Sequence, residues 1–259
     1  MSELFLSQAS RLVTGVNAFE PYVYRIQKDY KEGGYTEWPS IVLITTAQAT
    51  AISIVRLLPS QEYSNEVLDR RSLASLIRNL VDTHDVLRMM VVADSPDRFN
   101  LHRDILGLYI ASRTRKIQEG IDAKNAQQFY LHTKKWYWDM IKKSPLYTNS
   151  MDRLKSGETM FYESRRKRVE DVCGANSDFV LGMLAELSTY VHSVPPSVWF
   201  SNVDELYSDK QSSRDHIAIW LRLTNFYMAR CYSMLVATAG YESTPELSAY
   251  MEKNKNVFD

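Results

Sequence analysis

Leu73, Ile77, Leu80, His84, Leu87 and Val91 recur at alternating steps of four and three, the spacing of a helix face buried against a neighbour. Arg71, Arg78, Asp82 and Asp85 follow the adjacent stripe of the same segment. Start and stop signals bracket similar runs along the whole chain. Residues 2–32 read as one helix or two, with Pro21 the expected break and Gly33-Gly34 the stop. Thr36 and Pro39 open the next, which lasts to Leu58-Pro59; its β-branched residues allow a strand, but its length and Ala47, Ala49 and Ala51 favour a helix.

Ser64 is positioned to cap a third helix ending near Val92, and Ser95-Pro96 to start a fourth ending at Gly120. A fifth spans 123–143 and is stopped by Ser144-Pro145. Helices over about 158–173 and 177–192 follow; Pro195-Pro196 prevents the latter from continuing into the Val198-Trp199-Phe200 loop. A long helix then runs from Ser212 or Ser213 to Gly240, and Ser243-Thr-Pro-Glu246 reads as a capping box for a short terminal one. The expectation is an all-α bundle of about eight to nine helices in a single domain over 1–259, with a candidate subdivision at 144–157.

Composition narrows the class. The chain has 259 residues and is 45% apolar, ample for a continuous core. Its 31 Lys and Arg equal its 31 Asp and Glu, so any contact with nucleic acid must come from a local patch. Cys173 and Cys231 are far apart and read as free thiols of a reducing cytosol. The N-terminus lacks a basic segment before its apolar residues, and Ile41–Leu58 and Ile217–Ala239 carry too many polar residues for membrane spans. A cytoplasmic protein without membrane contact is expected.

Candidate chemistry centres on Arg78, Asn79 and His84. Six helical residues rotate by about 240°, so Arg78 and His84 point about 120° apart, and a homodimer with two-fold helix pairing would converge them better than one chain. In the alternative, Arg78 pairs with Asp82 and His84 is a hydrogen-bonded core residue. The spacing resembles the Arg-x(4 to 6)-His pattern of HEPN domains (higher eukaryotes and prokaryotes nucleotide-binding). That resemblance implies an RNA- or nucleotide-directed module of bacterial defence type, with Arg78, Asn79 and His84 as its catalytic residues: His84 would serve as acid or base for attack by a ribose 2′-hydroxyl and Arg78 would stabilise charge on the phosphate, with no metal needed. More widely, Arg71-Ser-Leu, Leu76-Ile77, Asn79-Leu80 and Leu187-Ser-Thr-Tyr190-Val-His192-Ser193 are similar to an uncharacterised all-helical bacterial family, HEPN-like in outline, over residues 63–117 and 158–200. The resemblance implies a HEPN-like core with extra terminal helices.

Further candidates for binding are Arg71, and His192 at a helix end one turn after Ser188. Arg222 and Arg230 lie on the polar strip of an otherwise apolar helix and need counter-charges or a bound anion. In the segment 129–143, Phe129, Trp136 and Met140 are expected to face the core, leaving Lys134, Trp138 and Lys142 outside, where Trp138 could stack a base or dock a protein partner. Arg165-Arg166-Lys167-Arg168 wraps around its helix and forms no single face. Zinc, di-iron, dinucleotide and phosphate-loop motifs do not occur, so no metal or cofactor is expected. The alternative to an RNA-directed module is a non-catalytic protein-interaction module.

Overall fold

A computed structural model describes residues 3–33, 38–58, 69–91, 95–191 and 211–257. All regular structure among them is helical: α1 (Glu3–Gly33), α2 (Trp38–Leu57), α3 (Arg70–Val91), α4 (Pro96–Lys143), α5 (Arg165–Cys173), α6 (Ser177–Val191), α7 (Gln211–Ala239) and α8 (Pro245–Lys253), with 3-10 segments at Asn149–Ser156 and Gly174–Asn176. No described helix is long and apolar enough to cross a membrane. Two compact units form, Met1–Leu87 with Val169–Asp259, and Arg88–Arg168. The division falls inside α3 and α5, and residues 144–157 lie within the second unit.

In the first unit α7 is buried on nearly every side from Ile217 to Leu235. Helices α1, α2 and α8 all pack against it, and α1 also packs on α2 and α8. The stripe Phe5, Gln8, Leu12, Phe19, Tyr22 and Ile26 on α1 is buried. Phe19 stacks on Tyr232 of α7 with ring centroids 4.0 Å apart.

Pro21 does not break α1, which is helical through Gly33. An internal proline removes a hydrogen bond, but tertiary contacts on the continuing stripe outweigh that loss. The Tyr22 hydroxyl donates to the Glu242 carbonyl at 2.8 Å and accepts from the Thr244 amide at 2.7 Å, while Ile26 stays in the core.

The apolar seam of α3 is buried from Leu73 to Leu87, and Asp69 caps its start by accepting from the Ser72 amide at 3.0 Å. The expected Ser64 cap lies outside the described residues. At α8 the cap is Thr244, one residue later than expected: its hydroxyl accepts from the Leu247 amide at 3.2 Å, with Pro245 at the first helical position. The helix expected from 158 starts only at Arg165.

The second unit is built on α4. Ser95 caps it by accepting from the Arg98 amide at 3.3 Å, and Ser144 ends it. Its helical φ/ψ are interrupted at Asp122 (φ −148°, ψ 88°), two residues after the stop expected at Gly120. Asp122 restarts the helix by accepting from the Asn125 amide at 3.2 Å.

The two halves of α4 run side by side in opposite directions. Arg115 reaches Gln127 at 3.4 Å and lies 4.7 Å over the Tyr130 ring, and Tyr137 packs against Gly107. Leu101, Ile105 and Leu108 of one half meet Trp138 and Ile141 of the other, closed by Met151 and Leu154. Buried His102 donates from Nδ1 to the Met89 carbonyl at 2.6 Å, leaving Nε2 to accept from the Tyr162 hydroxyl at 3.2 Å.

Glycine permits the closest helix contacts. A Cβ on Gly15 would lie 2.4 Å from the buried Tyr250 ring, whereas at Gly182 it would meet nothing within 4 Å. Gly15→Ala should therefore destabilise by about 1–3 kcal/mol through overpacking. Gly182→Ala should stabilise by about 0.5–1 kcal/mol through helix propensity. Urea midpoints check both; equal effects at the two positions would contradict this packing.

Candidate functional site

His84 is only 1% exposed, and its Nδ1 lies 3.2 Å from the Asp85 carboxylate. Its ring meets Tyr227 edge-on at 4.8 Å. This imidazole therefore sits inside the first unit, not on an open face. Arg78 is half-buried and already has an interaction partner, while Asn79 and Arg71 are exposed. Around His84 the interior holds buried Asp85 and Cys231 and half-buried Cys173, whose sulfur is 4.0 Å from the Tyr227 hydroxyl. Burial pushes the Cys173 thiol up to about 11 and raises the Tyr227 hydroxyl above its ordinary value.

The two arginines of α7 diverge. Arg230 donates to the Val172 carbonyl at 2.8 Å and lies 4.9 Å over the Phe226 ring. Arg222 is half-buried, and its Nε has no hydrogen-bond partner among the described residues. His192 and the Val198-Trp199-Phe200 loop lie outside the described residues. Lys134 is half-buried with its ammonium 5.4 Å over Tyr130.

Trp138 reverses its expected placement. It is 6% exposed and belongs to the core of the second unit, whereas Phe129 (59%) and Trp136 (51%) are exposed. The inward arc of this helix is Ala126, Tyr130, Trp138 and Ile141, with half-buried Tyr137 packed against Gly107. The Lys142 ammonium covers the Trp138 ring at 5.6 Å.

On the outer arc, Phe129, His132, Trp136 and Lys143 follow one another at steps of three, four and seven, all exposed. They form an aromatic ridge ending in a cation, and Lys124 and Lys135 are exposed on the same half of α4. Residues 88–168 carry 17 Lys and Arg against 9 Asp and Glu; the remainder of the chain carries 14 against 22. Exact neutrality of the whole chain thus conceals a strongly basic unit.

A second polar cluster, unmarked by any sequence motif, joins α6, α7 and the start of α3. Glu186 accepts from His216 Nε2 at 2.6 Å and from Trp220 Nε1 at 3.5 Å. Arg70 is buried nearby, and its charge acts on Glu186. Partial burial alone would raise the Glu186 carboxyl, but the hydrogen bonds from His216 and Trp220 and the Arg70 charge hold it below its ordinary value. No group of three or more residues able to hold a metal occurs among the described residues.

Comparison with protein-family models, curated proteins and solved structures finds no match for this chain.

The Glu186 cluster generates a pH dependence. Because its folded pKa is lowered, its contribution is fully present above the ordinary carboxyl value of 4.5 and is lost as pH falls through the folded value. Glu186→Gln should thus flatten the acid limb of stability: urea midpoints between about pH 3 and 7 should converge for wild type and variant in acid and separate towards neutrality. Parallel curves would contradict the assigned ionisation.

Proposed function

We propose that this protein is a helical RNA-binding module whose second unit holds the phosphate backbone with Lys and Arg and meets bases with exposed aromatic side chains. The observation that carries this reading is the excess of 17 cations over 9 anions in residues 88–168 of a chain that is neutral as a whole. The ridge of Phe129, His132 and Trp136 beside Lys135 and Lys143 supplies the π-faces that sequence-tolerant single-strand binders use. Binding is assigned to this surface; cleavage through Arg78, Asn79 and His84 is not part of the proposal, since His84 is enclosed. The HEPN-like resemblance agrees in ligand class but is not needed for the argument.

A second reading, a non-catalytic module that docks another protein, draws on Ile110, Ile117 and Leu131, exposed aliphatic residues of α4 that offer a base little to stack on. The two readings separate in one experiment. Fluorescence anisotropy with a labelled single-stranded RNA of about 20 nucleotides should show binding that weakens steeply with salt. Trp136→Ala and Phe129→Ala should each reduce affinity by roughly 5- to 150-fold, corresponding to about 1–3 kcal/mol per stacked base, with little change in melting temperature. Absence of RNA binding at low salt would remove the RNA reading and leave the protein-docking one.

A further inference from the structure

The first half of α4 is apolar on two sides. Leu101, Ile105 and Leu108 face the core of the second unit. On the opposite arc, Phe99, Arg103, Leu106, Ile110, Arg113 and Ile117 follow one another at alternating steps of four and three. Leu106 is half-buried, Phe99 is exposed, and Ile110 and Ile117 are each more than half exposed. Exposed apolar residues scattered singly are ordinary on a protein surface. This spacing is not scattered: it is the seam on which a second helix seats its own apolar side chains. From Phe99 to Ile117 the seam is about 27 Å long.

The charges on this face select its occupant. Between residues 98 and 118 the only acid is Asp104, which is buried and accepts from Arg103 Nη2 at 3.1 Å. Arg113 forms no ion pair among the described residues and lies 5.0 Å over the Tyr109 ring. Glu158 meets Lys116 at 3.5 Å, which points about 100° away from its seam neighbour Ile117. The seam therefore offers apolar side chains and cations without an exposed anion. A second copy of the same face fits it poorly. Full overlap sets Arg103 against Arg113 of the other copy when the seams are antiparallel, and each arginine against itself when they are parallel. A basic helix meets the same repulsion, whereas carboxylates flanking an apolar stripe gain charge-assisted contacts with both arginines. A nucleic acid would meet the cations, but Leu106, Ile110 and Ile117 offer a base no π-face.

We propose that this seam docks an acidic amphipathic helix of a partner protein, with the partner's apolar stripe on Leu106, Ile110 and Ile117 and its carboxylates at Arg103 and Arg113. The inference rests on the protein-docking reading of α4 and names the partner's chemistry; the RNA ridge lies on the other half of that helix, and the seam does not depend on it. Fluorescence anisotropy of the full chain with a labelled peptide of three Leu-Glu-Ala-Leu-Glu-Ala-Glu repeats tests it. Glutamates on both sides of the leucines keep this peptide from pairing with itself. It should bind one to one, at least about tenfold more tightly than two controls: the peptide with Lys in place of Glu, and one of the same composition with its leucines moved off the four-three spacing. Ile110→Ser and Ile117→Ser should each weaken binding by about tenfold. Arg113→Glu should weaken the acidic peptide and strengthen the basic one. All three positions are exposed, so melting temperatures should stay close to that of the wild type. Trp136→Ala, which strips the RNA ridge, should leave peptide binding unchanged. No saturable binding of the acidic peptide, equal binding of either control, or loss of binding on Trp136→Ala would overturn the inference.

Discussion

The first unit depends on satisfying polar side chains that α7 carries into its core. A buried amide or hydroxyl without a partner costs about 1–3 kcal/mol, so each such group on a buried helix dictates what must lie opposite. Asn225 donates to both the backbone carbonyl and the side-chain oxygen of Gln8 at 3.0 and 3.1 Å. The Tyr250 hydroxyl of α8 donates to the Asn225 side chain at 3.0 Å. Tyr232 donates to Gln48 of α2, which in turn donates to the Val16 carbonyl of α1. Apolar contacts alone would tolerate sliding of these helices by a turn. The hydrogen bonds do not, because a slip of one turn orphans several buried groups together.

The same constraint explains what was legible in the sequence. Local signals were readable where their partners lie within a few residues: the Ser95 cap, the stop at Ser144 and the seam from Leu73 to Leu87 on α3 depend on backbone geometry and helix period alone. Pro21 was misread because the side chains holding α1 helical beyond it act through Glu242 and Thr244, more than 200 residues away. Trp138 was misread because two amphipathic phases of its helix compete, and the choice depends on the space that Gly107 opens for Tyr137. The Glu186–His216 pair has no sequence spacing to betray it, since its members come from different helices.

The proposed binding surface follows a similar logic. Overall neutrality left any nucleic-acid contact to a local patch; the second of the two compact units holds an excess of basic residues. His84, the most conspicuous candidate in the sequence, is instead surrounded by Asp85 and Tyr227 in the interior. Surface chemistry is carried by residues that the core of α4 has no room for. Once Tyr130, Trp138 and Ile141 occupy the inward arc, Phe129 and Trp136 must face outward.

A double-mutant cycle between Gln8 and Asn225 tests the central claim most directly. If the buried hydrogen bonds couple α1 to α7, Gln8→Ala and Asn225→Ala together should destabilise the protein by much less than the sum of the two single effects, with an interaction free energy of about 1–3 kcal/mol by urea denaturation. Additive effects would contradict the account and leave apolar packing as what fixes the helices.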